Sequence, residues 1–169
     1  MESLTDAERE LVAIGAAVGA GCQPCTQYHV RAALKASLSR DEILRALDEA
    51  QVVRQEGGVA VANVGRRSLG VGQEEQRRGQ PKDRWQALVY IGSAAGCNAG
   101  SLLARYLEGT SELGLSAEQL GEAVQIAQAV KERGAQGFFA KEVERALGQL
   151  APAAAPSDSA SCCGPACGS

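Results

Sequence analysis

The sequence has little of what marks strands, membrane spans or nucleic-acid surfaces. Short β-branched or aromatic runs in strict alternation, the signature of half-buried strands, are nearly absent, and aromatic residues make up only 4% of the chain. No apolar run approaches the roughly 18 residues that a membrane-spanning helix needs. Seventeen Lys and Arg against twenty Asp and Glu leave a formal net charge of −3, and the basic residues are interleaved with acids. Neither nucleic acid nor an anionic membrane is an expected partner. The opening stretch MESLTDAERE is acidic and polar, unlike a secretory signal or an Arg-rich transit peptide, so the expected location is cytoplasmic. Histidine is almost missing: His29 is the only one.

What is present is helical period. Apolar residues recur at helical spacing through most of the 169 residues, a length that buries one real core without a disulfide. The fold class expected is all-α, with helices over Thr5 to Val18, Gln23 to Ala36, Arg40 to about Val64, Asp83 to Ala95, about Ala99 to Glu108, and Ala117 to Leu147. Ser39 and Ser116 stand where N-caps belong, each followed three residues later by Glu42 or Gln119, the pattern of a capping box.

The boxes belong to an internal repeat. A shift of 77 places Leu11-Val12-Ala13-Ile14-Gly15 on Leu88-Val89-Tyr90-Ile91-Gly92, and Leu38-Ser39 on Leu115-Ser116. It also places Ala46 on Ala123, Ala50 on Ala127, Val53 on Val130 and Gly57 on Gly134. The chain reads as a duplicated helical unit spanning 1–150: copy one over 1–66, a Gly/Gln/Arg/Glu-rich solvated linker over 67–82, and copy two over 83–150. Residues 151–169, APAAAPSDSASCCGPACGS, have no helical period and read as a flexible tail carrying half of the six cysteines, Cys162, Cys163 and Cys167.

The chemistry concentrates in GCQPCTQYH, Gly21 to His29. Gly19-Ala20-Gly21 breaks the first helix, and Pro24 is tolerated only in the first turn of the next, so Cys22 sits at or beside a helix start. There the helix dipole and the free N–H groups favour thiolate. Cys22, Cys25 and His29 then lie along one helix face at i, i+3 and i+7. The glycine break allows the preceding helix to bring Glu10 to that face. A carboxylate, an imidazole and two thiols make a proton relay serving a dithiol that cycles to a disulfide. The same four side chains are also a zinc ligand set, although no second Cys/His pair accompanies them inside the helical part. A third reading is two buried thiols beside a satisfied histidine. In copy two Cys22 corresponds to Cys97 once a two-residue gap is allowed, Cys25 to Gly100, His29 to Ala104 and Glu10 to Ala87. Copy two reads as scaffold.

Glu10, eleven residues, then Cys22-x-x-Cys25-x-x-x-His29 resembles the signature of the alkylhydroperoxidase D-like proteins of the carboxymuconolactone decarboxylase superfamily. The resemblance implies a thiol peroxidase or disulfide reductase that needs no cofactor, neither haem nor flavin. In that scheme Cys25 attacks the peroxide and becomes a sulfenic acid, Cys22 resolves it to a disulfide, and Glu10 with His29 shuttles protons. It also implies a hydroperoxide or disulfide substrate, a thiol reductant protein as partner, and a homo-oligomer, trimer or hexamer. The decarboxylase branch does not depend on the CxxC pair. The best-known peroxidases of the family carry a second histidine inside the CxxC, where this chain has Pro24. That shortens the relay while leaving dithiol exchange intact. Pro inside CxxC is also similar to the thioredoxin superfamily, against which the helical repeat argues.

The tail cysteines admit three readings: no specific role, a soft-metal or metalloid site built from Cys162, Cys163 and Cys167, or an internal redox relay to the Cys22/Cys25 pair. Tails of this CCG type resemble those of some bacterial arsenic-handling proteins, which gives the alternative function of a thiol-based metalloid handler.

Overall fold

The centre of the fold is a crossing of two helices at backbone contact. In the computed structural model, which describes residues 3–71 and 79–150, α1 spans Asp6–Ala20 and α4 spans Arg84–Gly96. Each carries two glycines four residues apart. A methyl group on Gly15 or Gly19 would strike the backbone of α4 at Val89 or Ser93, and one on Gly92 or Gly96 would strike α1 at Val12 or Ala16. The two sets of contacts exchange under the shift of 77 found in the sequence, so the two helices meet as pseudo-equivalent partners. Only residues without a side chain allow main chains to approach so closely. Being covered on several sides, both helices are almost continuously apolar. Leu11 to Ile14, Ala16 and Ala17 of α1 and Ala87 to Ile91 of α4 are at most 2% exposed.

The remaining elements surround this pair: α2 (Gln23–Lys35), α3 (Arg40–Ser68), α5 (Gly100–Leu107), a 3-10 turn (Thr110–Leu113), α6 (Ala117–Arg133), a π-helical segment (Gly134–Phe139) and α7 (Ala140–Leu150). Among the described residues there is no strand, and the architecture is the expected all-α one. Both expected capping boxes form, at Ser39/Glu42 and Ser116/Gln119. A third forms where Thr5, expected as the first helical residue, instead caps α1 and is itself bonded by Glu8. No helix of the described residues is long and apolar enough to cross a membrane.

Two expectations about helix ends are corrected. α3 runs on to Ser68 rather than stopping near Val64, so it enters the stretch read as linker. Arg66 and Arg67 in its last turn suit the negative end of the helix dipole, and the chain leaves the helix at Gly70, whose φ of 73° is left-handed. The single helix expected over 117–147 is broken by the π-helical segment. Gly134 and Gly137 make this the weakest stretch of that helix, and the widened turn falls where α6 meets the cysteine motif. The rest of the linker, 72–78, and the tail, 151–169, with Cys162, Cys163 and Cys167, lie outside the described residues.

Polar contacts hold α3 to the second copy. Tyr90 of α4 donates to Glu49 Oε2 at 2.9 Å and Tyr106 of α5 donates to Glu56 Oε2 at 2.8 Å, with the two rings 4.9 Å apart. Burial, reinforced by the bond to the Glu56 carboxylate, pushes the Tyr106 hydroxyl up to about 12.

Gly92→Ala is expected to lower stability in denaturant unfolding by about 1–3 kcal/mol, as overpacking does. Gly58→Ala, at a helical position with nothing within 4 Å, is expected to raise it by up to about 1 kcal/mol. Because Tyr106 keeps its proton more tightly when folded, its contribution is complete below the ordinary tyrosine value and is lost as pH rises from about 10 toward about 12. Urea unfolding across that window is therefore expected to show a steeper alkaline loss for the wild type than for Tyr106→Phe.

Candidate functional site

The site begins where α1 stops. Gly21 takes a left-handed φ of 69° and its N–H closes on the Ala17 and Val18 carbonyls, which ends the helix and reverses the chain. A side chain at Gly21 would also strike the Arg54 guanidinium, whose Nη1 donates to the Val18 carbonyl at 3.0 Å. α2 therefore starts at once. Cys22 is its N-cap, its Sγ accepting from the Cys25 N–H at 3.3 Å, and Pro24 stands in the first turn, where no N–H is required.

Cys22 and Cys25 are joined by a disulfide, with their Cα atoms 5.3 Å apart, inside the usual range for a bridged pair. The two sulfurs are not equivalent. Cys25 is only 5% exposed, whereas Cys22 is half-buried. Cys22 stands at the N-cap of α2 and Cys25 in its first turn.

One helical turn after Cys25 on the same face stands His29. Its Nδ1 lies 2.9 Å from Glu10 Oε2, across the chain reversal. The side chains are 13% and 21% exposed, shielded enough that water weakens the pair less than it would a surface ion pair. With the Glu10 carboxylate accepting from Nδ1–H, Nε2 is the nitrogen left to take or give a proton. The edge of Tyr28 packs on the imidazole at 5.0 Å. All four residues singled out in the sequence are thus placed around the start of α2, as a bonded sulfur pair and a carboxylate–imidazole pair.

One participant was not recognised from the sequence. A methyl group on Gly134 would lie 3.2 Å from Cys22 Sγ and 3.5 Å from Cys25 Sγ, so the start of the π-helical segment roofs the disulfide. The arrangement is reciprocal: Gly57 of α3 lies against Cys97 Sγ in the same way. Each copy covers the cysteine position of the other. The signal available in the sequence was the match of Gly57 with Gly134, which says that the position is kept without a side chain but not what lies against it.

Copy two carries no equivalent chemistry. Among the described residues Cys97 has no thiol partner, and burial pushes its thiol up, so thiolate is disfavoured there. Ala87 and Ala104 stand where copy one has Glu10 and His29.

Beside the disulfide opens a cleft of about 760 Å³, bordered by Cys22, Pro24, Asn98, Lys131, Lys141 and Glu142. Lys131 donates to Asn98 across it. Of the two cysteines it is Cys22 that borders the cleft. Among the described residues no group of three or more His, Cys, Asp or Glu side chains is arranged to hold a metal ion. The expected tail ligands Cys162, Cys163 and Cys167 lie outside them.

No curated protein and no solved structure matches the chain. Residues 2–63, less than half of its length, match the model of the Carboxymuconolactone decarboxylase family. The match takes in α1, α2 and most of α3, and with them Glu10, Cys22, Cys25 and His29. By that match the first helical unit is similar to the carboxymuconolactone decarboxylase family, consistent with the alkylhydroperoxidase D-like superfamily.

Proposed function

We propose that the chain is a thiol-dependent oxidoreductase that reduces hydroperoxides or disulfides through Cys22 and Cys25, with Glu10 and His29 moving the protons. The observation that carries this reading is the Cys22–Cys25 disulfide at a helix start, one turn from a shielded Glu10–His29 pair. An isolated thiol or a structural staple has no use for that pair. A dithiol that gains and loses protons in each cycle does.

In the reduced protein the Cys25 thiolate attacks the outer oxygen of a hydroperoxide. The O–O bond breaks, the alkoxide leaves with a proton relayed from His29, and Cys25 becomes a sulfenic acid. The Cys22 thiol then attacks the Cys25 sulfur, water leaves, and the disulfide forms. Reduction runs the other way round the pair. An incoming thiolate attacks the Sγ of Cys22, the cysteine at the cleft, in line with the S–S bond. Cys25 departs as a thiolate, favoured by the N-terminus of α2 and able to recover its proton through His29. Glu10 holds the imidazole by Nδ1 throughout and balances its charge when it is protonated. The position between the cysteines that another imidazole would occupy belongs to Pro24. The relay therefore has two members, which weights the reading toward disulfide exchange over rapid peroxide turnover.

Thiol titration of the metal-free, fully reduced chain before and after one equivalent of an organic hydroperoxide tests the reading. The expected result is loss of two thiols, restored by a dithiol. Cys25→Ser abolishes it, and His29→Gln or Glu10→Gln slows it about 100-fold, within the range for general acid–base groups, with a displaced pH profile. Retention of all thiols together with tight uptake of arsenite or zinc would contradict the reading and favour a metalloid handler.

A further inference from the structure

The cleft beside Cys22 is built partly from α7, the last helix before the cysteine tail. Lys141 and Glu142, in the first turn of α7, border it together with Cys22. From Glu142 to Leu150 the helix rises about 12 Å. Nineteen residues follow Leu150, and Cys162 is twelve beyond it. Fully extended, those twelve residues span about 40 Å, more than three times that rise.

We propose that the tail is the internal electron donor to this site: its thiols enter the cleft and reduce the Cys22–Cys25 disulfide. The inference rests on the redox reading above and deepens it by naming the immediate reductant of the pair. Three observations support it. Cys22 borders the cleft, while Cys25 does not and is 5% exposed. The segment CCGPACGS carries, apart from its thiols, no side chain larger than proline, so it suits a narrow approach beside the Gly134 roof. The Lys131 and Lys141 ammonium groups along the cleft favour an arriving thiolate.

The exchange balances. A thiolate of Cys162 or Cys163 attacks Cys22 Sγ. The Cys22–Cys25 bond breaks, and Cys25 leaves as a thiolate. Cys167 then attacks the tail sulfur of the mixed disulfide, and Cys22 leaves in turn. Two electrons have passed from the tail to the site, leaving a tail disulfide and a Cys22/Cys25 dithiol. An external protein dithiol reduces the tail disulfide to close the cycle. Tethering makes the internal attack correspond to a thiol in the millimolar range.

The test traps the mixed disulfide in two full-length variants that carry Cys25→Ser and Cys167→Ser together with either Cys162→Ser or Cys163→Ser, so that no second thiol releases Cys22. After one equivalent of a small aromatic disulfide, peptide mapping is expected to find Cys22 bonded to the remaining tail cysteine within a monomer, at a rate independent of protein concentration. Cys22 found only as the adduct of the probe, or bonded to the tail of another chain, overturns the proposal. No hydroperoxide enters this experiment, so its failure is distinct from failure of the peroxide titration.

Discussion

The approach of α1 and α4 to backbone contact is the constraint on which the rest depends. Because Gly15, Gly19, Gly92 and Gly96 admit the opposite main chain, the two copies interlock. The long helix of each is brought over the cysteine position of the other. Copy two therefore contributes to the site without carrying any of its chemistry. It supplies Gly134 as the roof on the disulfide, and Lys131, Lys141 and Glu142 as walls of the cleft. A single copy with the same Glu10, Cys22, Cys25 and His29 would leave both sulfurs open on that side.

That division explains how a duplicated chain keeps one reactive site. In copy one the chain reversal at Gly21 brings a carboxylate and an imidazole together one turn past the cysteines. In copy two Ala87 and Ala104 stand at the corresponding positions, and nearby tyrosine hydroxyls are bonded to Glu49 and Glu56. Those contacts fasten α3 to α4 and α5, and α3 in turn presses Gly57 on Cys97. In the proposed function one half does the chemistry and the other fixes its geometry.

Much of this was legible in the sequence because it is written in local signals. Gly21 and Pro24 fix the reversal and the helix start, the i, i+3, i+7 spacing fixes the face, and Ser39/Glu42 and Ser116/Gln119 fix two helix starts. The shift of 77 exposed the duplication. What was not legible is long-range. The role of Gly134 depends on which cysteine lies across the interlock, and a repeat shows that two positions correspond, not what they touch. The π-helical break at Gly134–Phe139 escaped for the same reason, since the apolar period runs through it almost undisturbed. The continuation of α3 to Ser68 was masked by composition: a glycine- and arginine-rich stretch reads as linker until the helix dipole is set against Arg66 and Arg67.

Under the Gly134 roof the two cysteines are unequal, with Cys22 bordering the cleft and Cys25 buried one helical turn from His29. The most direct measurement takes the oxidised chain with Cys162, Cys163 and Cys167 replaced by Ser, adds a small monothiol such as cysteamine, quenches with acid within the first turnover, and maps the adduct. The account predicts the monothiol on Cys22 and a free thiol at Cys25. An adduct found mainly on Cys25 would contradict it.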